Sequence, residues 1–411
     1  MDMPALPFVI VGHVDHGKST LIGRLLYDTK SLSVDKLAEV EALSAELGRD
    51  VEFAFVLDAL EEERSQNITI ETTQVFFRSA GRSYVIIDAP GHVEFVKNMI
   101  TGASQAEAAV LIVAADQGVE EQTRRHSYIL GLLDIHQIAV VINKMDLAGY
   151  QEARFRALGA EVSAWLAALG RQAQAVIPIS ARDGDNVARP SDRMPWYAGP
   201  TLLVQLEQFQ PEGRAGGDRL RLPVQDVYKI GDKRIVVGRV ERGSVHVGQE
   251  LLLIPAQTQA RVKTIEVFLE PDRQSAEEGE AIGLTLDKPL FVERGHVVFA
   301  ADHPGRATDS LSAKVFWMSR QPLRVGEPLL LRCATQSVEV KQLAIDRRID
   351  SATLAVIEEQ ATTLGENEVG EVRMTTRAPV VVEPQAGGGE LGRFILTRHD
   401  EVVAGGIVTA G

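Results

Sequence analysis

Gly12-His13-Val14-Asp15-His16-Gly17-Lys18-Ser19-Thr20 decides how this chain is read. It fits the phosphate-loop pattern G-x-x-x-x-G-K-[ST] without a mismatch. Residues 8–11, Phe-Val-Ile-Val, read as a short buried strand before it. Leu21, Ile22, Leu25 and Leu26 recur at helical spacing after it. A glycine loop between a strand and a helix is the setting in which this motif holds phosphate. Gly12 and Gly17 let backbone N–H groups turn toward phosphate oxygens, and the helix N-terminus adds partial positive charge. Lys18 is placed to reach the outer phosphates, and the Ser19 hydroxyl to ligate Mg²⁺.

Four more apolar runs, at 84–87, 109–113, 138–142 and 175–179, share the near-continuous apolarity of 8–11. Such runs belong to strands covered on both faces, the signature of a parallel sheet. Residues 152–169 read as a helix with Phe155, Leu158, Val162, Trp165, Leu166 and Leu169 on one face. Strand-helix alternation predicts a doubly wound, mostly parallel α/β domain whose ligand lies beyond the carboxyl ends of the strands. Gly81-Arg82 reads as a hairpin turn joining 72–78 to 84–87. The long connection before it holds a helix-like stretch, 34–47, and a charged, then β-like stretch, 57–70.

After a last helix at 201–209 the character changes. Residues 211–217, Pro-Glu-Gly-Arg-Ala-Gly-Gly, read as a linker. Short β-rich runs with turns between them follow, at 224–228, 235–240, 251–254 and 262–267, then at 311–317, 328–333, 369–374, 380–382 and 393–396. This spacing predicts two β-barrels in tandem. The chain of 411 residues is thus expected to be multidomain, α/β plus all-β: a nucleotide-binding domain over 1–212, and barrels over 218–303 and 304–411.

The formal net charge is −14, a balance that argues against a protein that coats nucleic acid while leaving room for a local basic patch. One cysteine, Cys333, precludes a disulfide within the chain and reads as a core thiol in a strand-like run. The first seven residues have no basic region preceding an apolar core, and no apolar run approaches the ~20 residues of a membrane span. A cytoplasmic protein is expected.

Further motifs follow strand ends in the order a GTPase needs. Asp88-Ala89-Pro90-Gly91 is a D-x-x-G: Asp88 can hold Mg²⁺ through water, and the Gly91 N–H can sense a γ-phosphate. Asn143-Lys144-Met145-Asp146 is an N-K-x-D. Asp146 can accept hydrogen bonds from the N1–H and 2-amino group of guanine. Adenine offers neither and would leave a buried charge unpaired, so GTP is expected over ATP. Lys144 can lie over the loop and the base, and Ser180-Ala181-Arg182 can present backbone N–H to the guanine O6. Thr69, in Asn67-Ile68-Thr69-Ile70, is placed to add its hydroxyl to Mg²⁺, and His92 to orient the attacking water. His13 and His16 are read as shaping the loop backbone. Asp15 is a candidate for polarising the loop or binding a monovalent cation.

Together, Gly-His-Val-Asp-His-Gly-Lys-Ser, Asp-Ala-Pro-Gly-His and Asn-Lys-Met-Asp resemble the translational GTPase superfamily, which includes elongation factor Tu, elongation factor 1-alpha and the GTPase subunit of bacterial sulfate adenylyltransferase. The resemblance runs over the whole chain. It implies that Val14 and Ile68 form a hydrophobic gate flanking His92. Three stretches (19–29, 57–64 and 122–129) resemble the sulfate adenylyltransferase branch in particular. That branch implies GTP hydrolysis coupled to the synthesis of adenylyl sulfate from ATP and sulfate, on a separate small subunit in a heteromeric complex. Its mobile parts would be 57–71 and 93–102. The second reading is an elongation-factor-like GTPase that delivers aminoacyl-tRNA, and only there is a nucleic-acid partner expected.

Overall fold

The computed structural model describes residues 5–32, 35, 38, 73–79, 81–88, 106–210, 219–384 and 389–411. The chain divides into two compact units, Met1–Pro211 and Glu212–Gly411.

The first unit is built on a six-stranded sheet in the order β2-β3-β1-β4-β5-β6. Its elements are β1 (Leu6–Gly12), α1 (Lys18–Asp28), β2 (Thr73–Arg78), β3 (Ser83–Asp88), β4 (Ala108–Ala114), α2 (Glu121–Leu132), β5 (Gln137–Asn143), α3 (Glu152–Ala168), β6 (Ala173–Pro178) and α4 (Leu202–Gln208). The core strands β3, β1, β4, β5 and β6 run parallel. Only β2 is antiparallel, paired to β3 through the expected hairpin. Every residue of β4 is buried, as continuous apolarity requires of a central strand. The edge strand β6 departs from that rule: Gln174 is exposed and full burial comes only at Ile177-Pro178. An apolar run does not distinguish a central strand from a partly covered edge.

Local chemistry sets the ends of the helices. α1 starts straight after Gly17 and stops where the Thr29 hydroxyl donates to the Leu25 carbonyl at 2.7 Å. At α4, Thr201 is the N-cap and its side-chain oxygen accepts from the Val204 N–H. Leu158, Val162 and Leu166 of α3 are buried at i, i+4 spacing. Phe155, expected on that face, packs instead on Trp196, with ring centroids 5.3 Å apart. Beneath α1 the core includes Phe8, Phe77 and Tyr84, the last two stacked at 4.7 Å. The buried Arg82 of the hairpin turn donates to the Phe209 carbonyl, tying the β2–β3 pair to the end of α4.

The second unit is all β among the described residues, apart from one 3₁₀ turn. Six strands close the first barrel in the order β10 (Glu250–Ile254), β15 (Val297–Ala300), β7 (Arg221–Ile230), β8 (Lys233–Arg239), β14 (Ala281–Leu286) and β11 (Thr258–Val267), with β11 pairing back to β10. β12 (Glu270–Arg273) hangs on β11, while β9 (Ser244–His246) and β13 (Ser275–Glu277) form a separate pair. The second barrel closes likewise: β18 (Leu329–Cys333), β23 (Arg393–Arg398), β24 (Glu401–Ala410), β16 (Ala307–Trp317), β22 (Glu368–Val381) and β19 (Gln336–Asp350), returning to β18. β20 (Val356–Glu359) hangs on β19, and β17 (Leu323–Arg324) pairs with β21 (Thr363–Leu364).

The longest strand, β19, has no counterpart among the runs read from sequence. Its pairing with β22 shifts register between Val340 and Gln342 and again between Ile345 and Arg347. Each shift breaks the two-residue alternation that marks a half-buried strand. The runs at 369–374 and 380–382 are one continuous strand, β22. Arg221 pins the two barrels together: it pairs with Glu383 at 2.6 Å and lies 4.5 Å over the Phe299 ring. Cys333 is a core thiol, as expected. It is buried, donates to the Glu390 and Leu391 carbonyls, and has its pKa pushed up to about 12 by burial.

Candidate functional site

The loop between β1 and α1 meets the end of β3 and the loops after β5 and β6 at the carboxyl edge of the sheet. Gly12 is the last residue of β1, and a Cβ there would lie 2.5 Å from the Ile112 carbonyl oxygen of β4. Its glycine is demanded by the close approach of two parallel strands. Gly17 does carry the left-handed turn, with φ 89°, and a Cβ there would meet Asn143 Nδ2 at 2.5 Å. Asp15 is left-handed too, with φ 62°. The ammonium of Lys18 donates to the Gly12 and His13 carbonyls at 3.2 and 3.0 Å. Burial pushes its pKa down to about 8, while the charges of Asp88 and Asp15 pull it up. This puts a largely desolvated cation at the loop mouth.

His16 is fully buried with Nδ1 3.2 Å from the Ile112 carbonyl. A carbonyl only accepts, so Nδ1 carries the proton, and burial lowers the ring's pKa to about 4. His13 packs against it at 5.3 Å between ring centroids. A third histidine, His126 of α2, is buried beside this loop. Burial first, then the charges of Lys18 and His13, push its pKa down to about 3. Sequence reading missed His126 as a loop neighbour. The available signal was its place with Thr123, Ser127 and Leu130 on the buried face of a helix, at i, i+3, i+4 spacing.

Ser19 and Thr20 lie half-buried in the first turn of α1, and Val14 is half-buried in the loop. Asp88 ends β3, buried, in register with Ile10 of β1. The Ser19 hydroxyl and the Asp88 carboxylate are hard oxygen donors of the kind Mg²⁺ takes alongside water and phosphate oxygens. Ala89, Pro90, Gly91, His92, Asn67, Ile68 and Thr69 lie outside the described residues, as do the stretches 57–71 and 93–102.

The other end of the site is built from side chains. Asn143, which ends β5, donates from Nδ2 to the His16 carbonyl at 2.8 Å and accepts from the Ala181 N–H at 2.9 Å. It therefore staples the phosphate loop to the loop after β6. Within the 180–182 stretch expected to present backbone N–H to guanine O6, the Ala181 N–H is engaged by Asn143. Lys144 is left-handed, with φ 59°, and its ammonium lies 3.9 Å from Asp116. Met145 is buried and its N–H donates to the Ile179 carbonyl. The Asp146 carboxylate, 9% exposed, accepts from the Ser180 hydroxyl at 2.8 Å and lies 3.2 Å from the Arg182 guanidinium. Arg24 of α1 supports the same loop by donating to the Arg182 carbonyl at 3.2 Å.

A phosphate loop, a strand-end carboxylate and a buried N-K-x-D carboxylate on one sheet edge define a P-loop GTPase, here followed by closed β-barrels. Comparison with known proteins matches residues 3–221 to the elongation factor Tu GTP-binding domain, 233–298 to elongation factor Tu domain 2, and 310–409 to the C-terminal domain-like family of eukaryotic elongation factor 1-alpha. The chain belongs to the elongation factor Tu family of translational GTPases, whose members bind GTP with Mg²⁺. Among its relatives, elongation factor 1-alpha of Pyrococcus furiosus is 40% identical over 99% of this chain and 98% of its own length. Elongation factor 1-alpha of Thermococcus celer is 39% identical over the same shares. Among solved structures, Sup35 complexed with GDP is similar at TM-score 0.46 and 24% identity, covering 99% of this chain and 94% of that one.

The elongation factor 1-alpha relatives overturn the expected sulfate adenylyltransferase subunit, and with it the small adenylyl-transfer subunit expected as partner. The structure gives the physical reason. The stretches at 19–29 and 122–129 serve the packing of the GTPase fold itself. Leu21, Ile22, Leu25 and Leu26 fill the core, Arg24 pairs with Asp28, and Arg125 pairs with Glu121. They report how α1 and α2 are held, not which partner the chain meets. The third stretch, 57–64, lies outside the described residues. Among the described residues no helix is long and apolar enough to cross a membrane.

Proposed function

We propose that this chain is an elongation-factor-1-alpha-like GTPase that carries aminoacyl-tRNA under GTP control in the cytoplasm. The observation that carries the reading is the 40% identity to an elongation factor 1-alpha along 99% of the chain, which takes in the nucleotide site and both barrels. A groove of about 260 Å³ on the first barrel gives local support. Lys233, Arg234, Lys263 and Lys288 line it against Asp232 and Asp287, a basic spot in a chain of net charge −14. The division into 1–212, 218–303 and 304–411 belongs to the same proposal.

Within the site, backbone N–H groups from Gly12 to Thr20 cradle the phosphates, and Lys18 neutralises the outer ones. Ser19, Thr69 and Asp88 would hold Mg²⁺, which supplies charge neutralisation on the β- and γ-phosphates. Gly91, next to Ala89 and Pro90, senses the γ-phosphate, and His92, gated by Val14 and Ile68, orients the attacking water. Asp146 reads the base, with Asn143, Lys144 and Met145 shaping its loop and Ser180, Ala181 and Arg182 closing it.

The test is filter binding of aminoacyl-tRNA to the chain loaded with GTP or with GDP. Tight binding only with GTP, weakening steeply with salt, is expected. Equal binding with either nucleotide, or none with GTP, overturns the reading. His92→Ala should slow single-turnover hydrolysis by about 10²- to 10⁴-fold while GTP affinity is kept. Loss of both together would make His92 structural.

A further inference from the structure

Asp146 has one hydrogen-bond donor and one ion-pair partner at the base-reading end. The Ser180 hydroxyl holds Oδ1 at 2.8 Å, and the Arg182 guanidinium lies 3.2 Å from Oδ2. A carboxylate has about four lone-pair sites. At least one site on each oxygen is therefore left for the two donors of guanine, N1–H and the 2-amino group. Arg182 is itself fixed. Its Nε donates to Asp183 Oδ1 at 2.9 Å, and its carbonyl accepts from Arg24. Asp183 is anchored in turn by the Tyr150 hydroxyl at 3.0 Å and the Arg193 guanidinium at 2.6 Å.

We propose that the Arg182 side chain is a positioning residue that sets guanine specificity: with Ser180 it holds both oxygens of Asp146 in the plane that meets N1–H and the 2-amino group together, and Asp183 holds Arg182 in place. The proposal rests on Asp146 being the base-reading carboxylate. With Arg182 gone, one anchor remains, the carboxylate turns about it, and the two-point contact with the base decays toward one point. Loop folding does not require Arg182, because the Ala181 and Asp183 N–H groups are held by the Asn143 and Ser180 side chains. Its side chain, 61% exposed, carries no core packing.

The 2-amino group is the handle for a test, because inosine nucleotides lack it. Equilibrium binding of GDP and IDP is measured for the full chain and for Arg182→Leu, Arg182→Lys, Asp183→Asn and Asp146→Asn. Arg182→Leu should weaken GDP by about three- to fivefold, the range for a partly exposed charge pair, and IDP by less than about twofold. The GDP-to-IDP preference should then fall. Arg182→Lys, which keeps the charge without the planar fork, should restore part of it, and Asp183→Asn should fall between. An unchanged preference with Arg182→Leu, or an equal loss for both nucleotides, overturns the proposal. Asp146→Asn separates the two levels. If it keeps the wild-type guanine preference, the base-reading assignment itself fails. If it abolishes the preference while Arg182→Leu does not touch it, only the role of Arg182 fails.

Discussion

At the end of the site proposed to hold phosphate, glycines and backbone groups do most of the holding. Gly12 lies against β4, Gly17 turns left-handed, and Lys18 caps two loop carbonyls, all above buried neutral histidines. At the end proposed to read the base the work falls to ionised and hydroxyl side chains: Asp146, Ser180, Arg182, Asp183 and Arg193 form one connected network nearer to water. Both ends follow parallel strands of one sheet, yet the first tolerates almost no added atom and the second tolerates rearrangement. Steric constraint is all-or-none at short range, whereas screened charge is graded.

Gly17→Ala should separate the two regimes most sharply. It forces an L-residue into φ 89° and puts its methyl 2.5 Å from Asn143 Nδ2. A loss of about 3 kcal/mol in nucleotide binding is expected by calorimetry, from backbone strain plus a displaced buried hydrogen bond. Binding within a few tenths of that of wild type would show that the loop relaxes as freely as the base end. Asn143→Ala comes next, because it removes a side chain bonded to both loops. About 1–3 kcal/mol should be lost for GDP, with both phosphate and base contacts weakened. If only the guanine-over-inosine preference changed, the staple would belong to the base end alone.

Acid should part the ends further. The rings of His16 and His126 have pKa values of about 4 and 3 in the fold, below the ordinary 6.5. Below pH 6.5 the unfolded chain binds more protons than the native one, so stability falls as pH drops from 6.5 toward 4. Each ring should cost about 2 kcal/mol by pH 5. Asp183, held near 2 by Arg182, begins to lose its contribution only below its unfolded value of 3.8. Thermal melts at pH 7 and pH 5 should show the drop, and His126→Asn should flatten it. An unchanged slope in that variant would mean His126 is solvated. Arg193→Ala, at the exposed rim of the base network, should leave the melting temperature close to that of the wild type. A clear drop would make the base end as brittle as the phosphate end.

Sequence exposed the strand-loop-helix geometry of the phosphate loop almost completely, because its requirements are absolute: a glycine, a lysine and a strand-helix junction at fixed spacing. It exposed the base end only in part. Asp146 follows from the N-K-x-D motif, but the double bond of Asn143 and the ties from Arg182 to Asp146 and Asp183 join residues on different strand-end loops, which no local spacing announces. The parallel strands were legible from continuous apolarity. β19 was not, because its register shifts scramble the alternation that would have marked it. The branch of the family was misread for a related reason: α1 and α2 are bound by the packing of the fold, so their residues speak for the fold before they speak for a partner.

The barrels carry one more consequence. Each ring satisfies its own ladder, so among the described residues the open edges of the two barrel sheets lie at the appended strands β12 and β20, beside the short pairs β9–β13 and β17–β21. β12 reads Glu-Pro-Asp-Arg, and its proline has no N–H to offer an incoming strand. β20 ends in Glu358 and Glu359, which are drawn toward Arg348 and Arg347. Both edges are thus poor templates for edge-to-edge growth, and this unit should stay monodisperse at concentrations where an uncapped sheet of its size would polymerise.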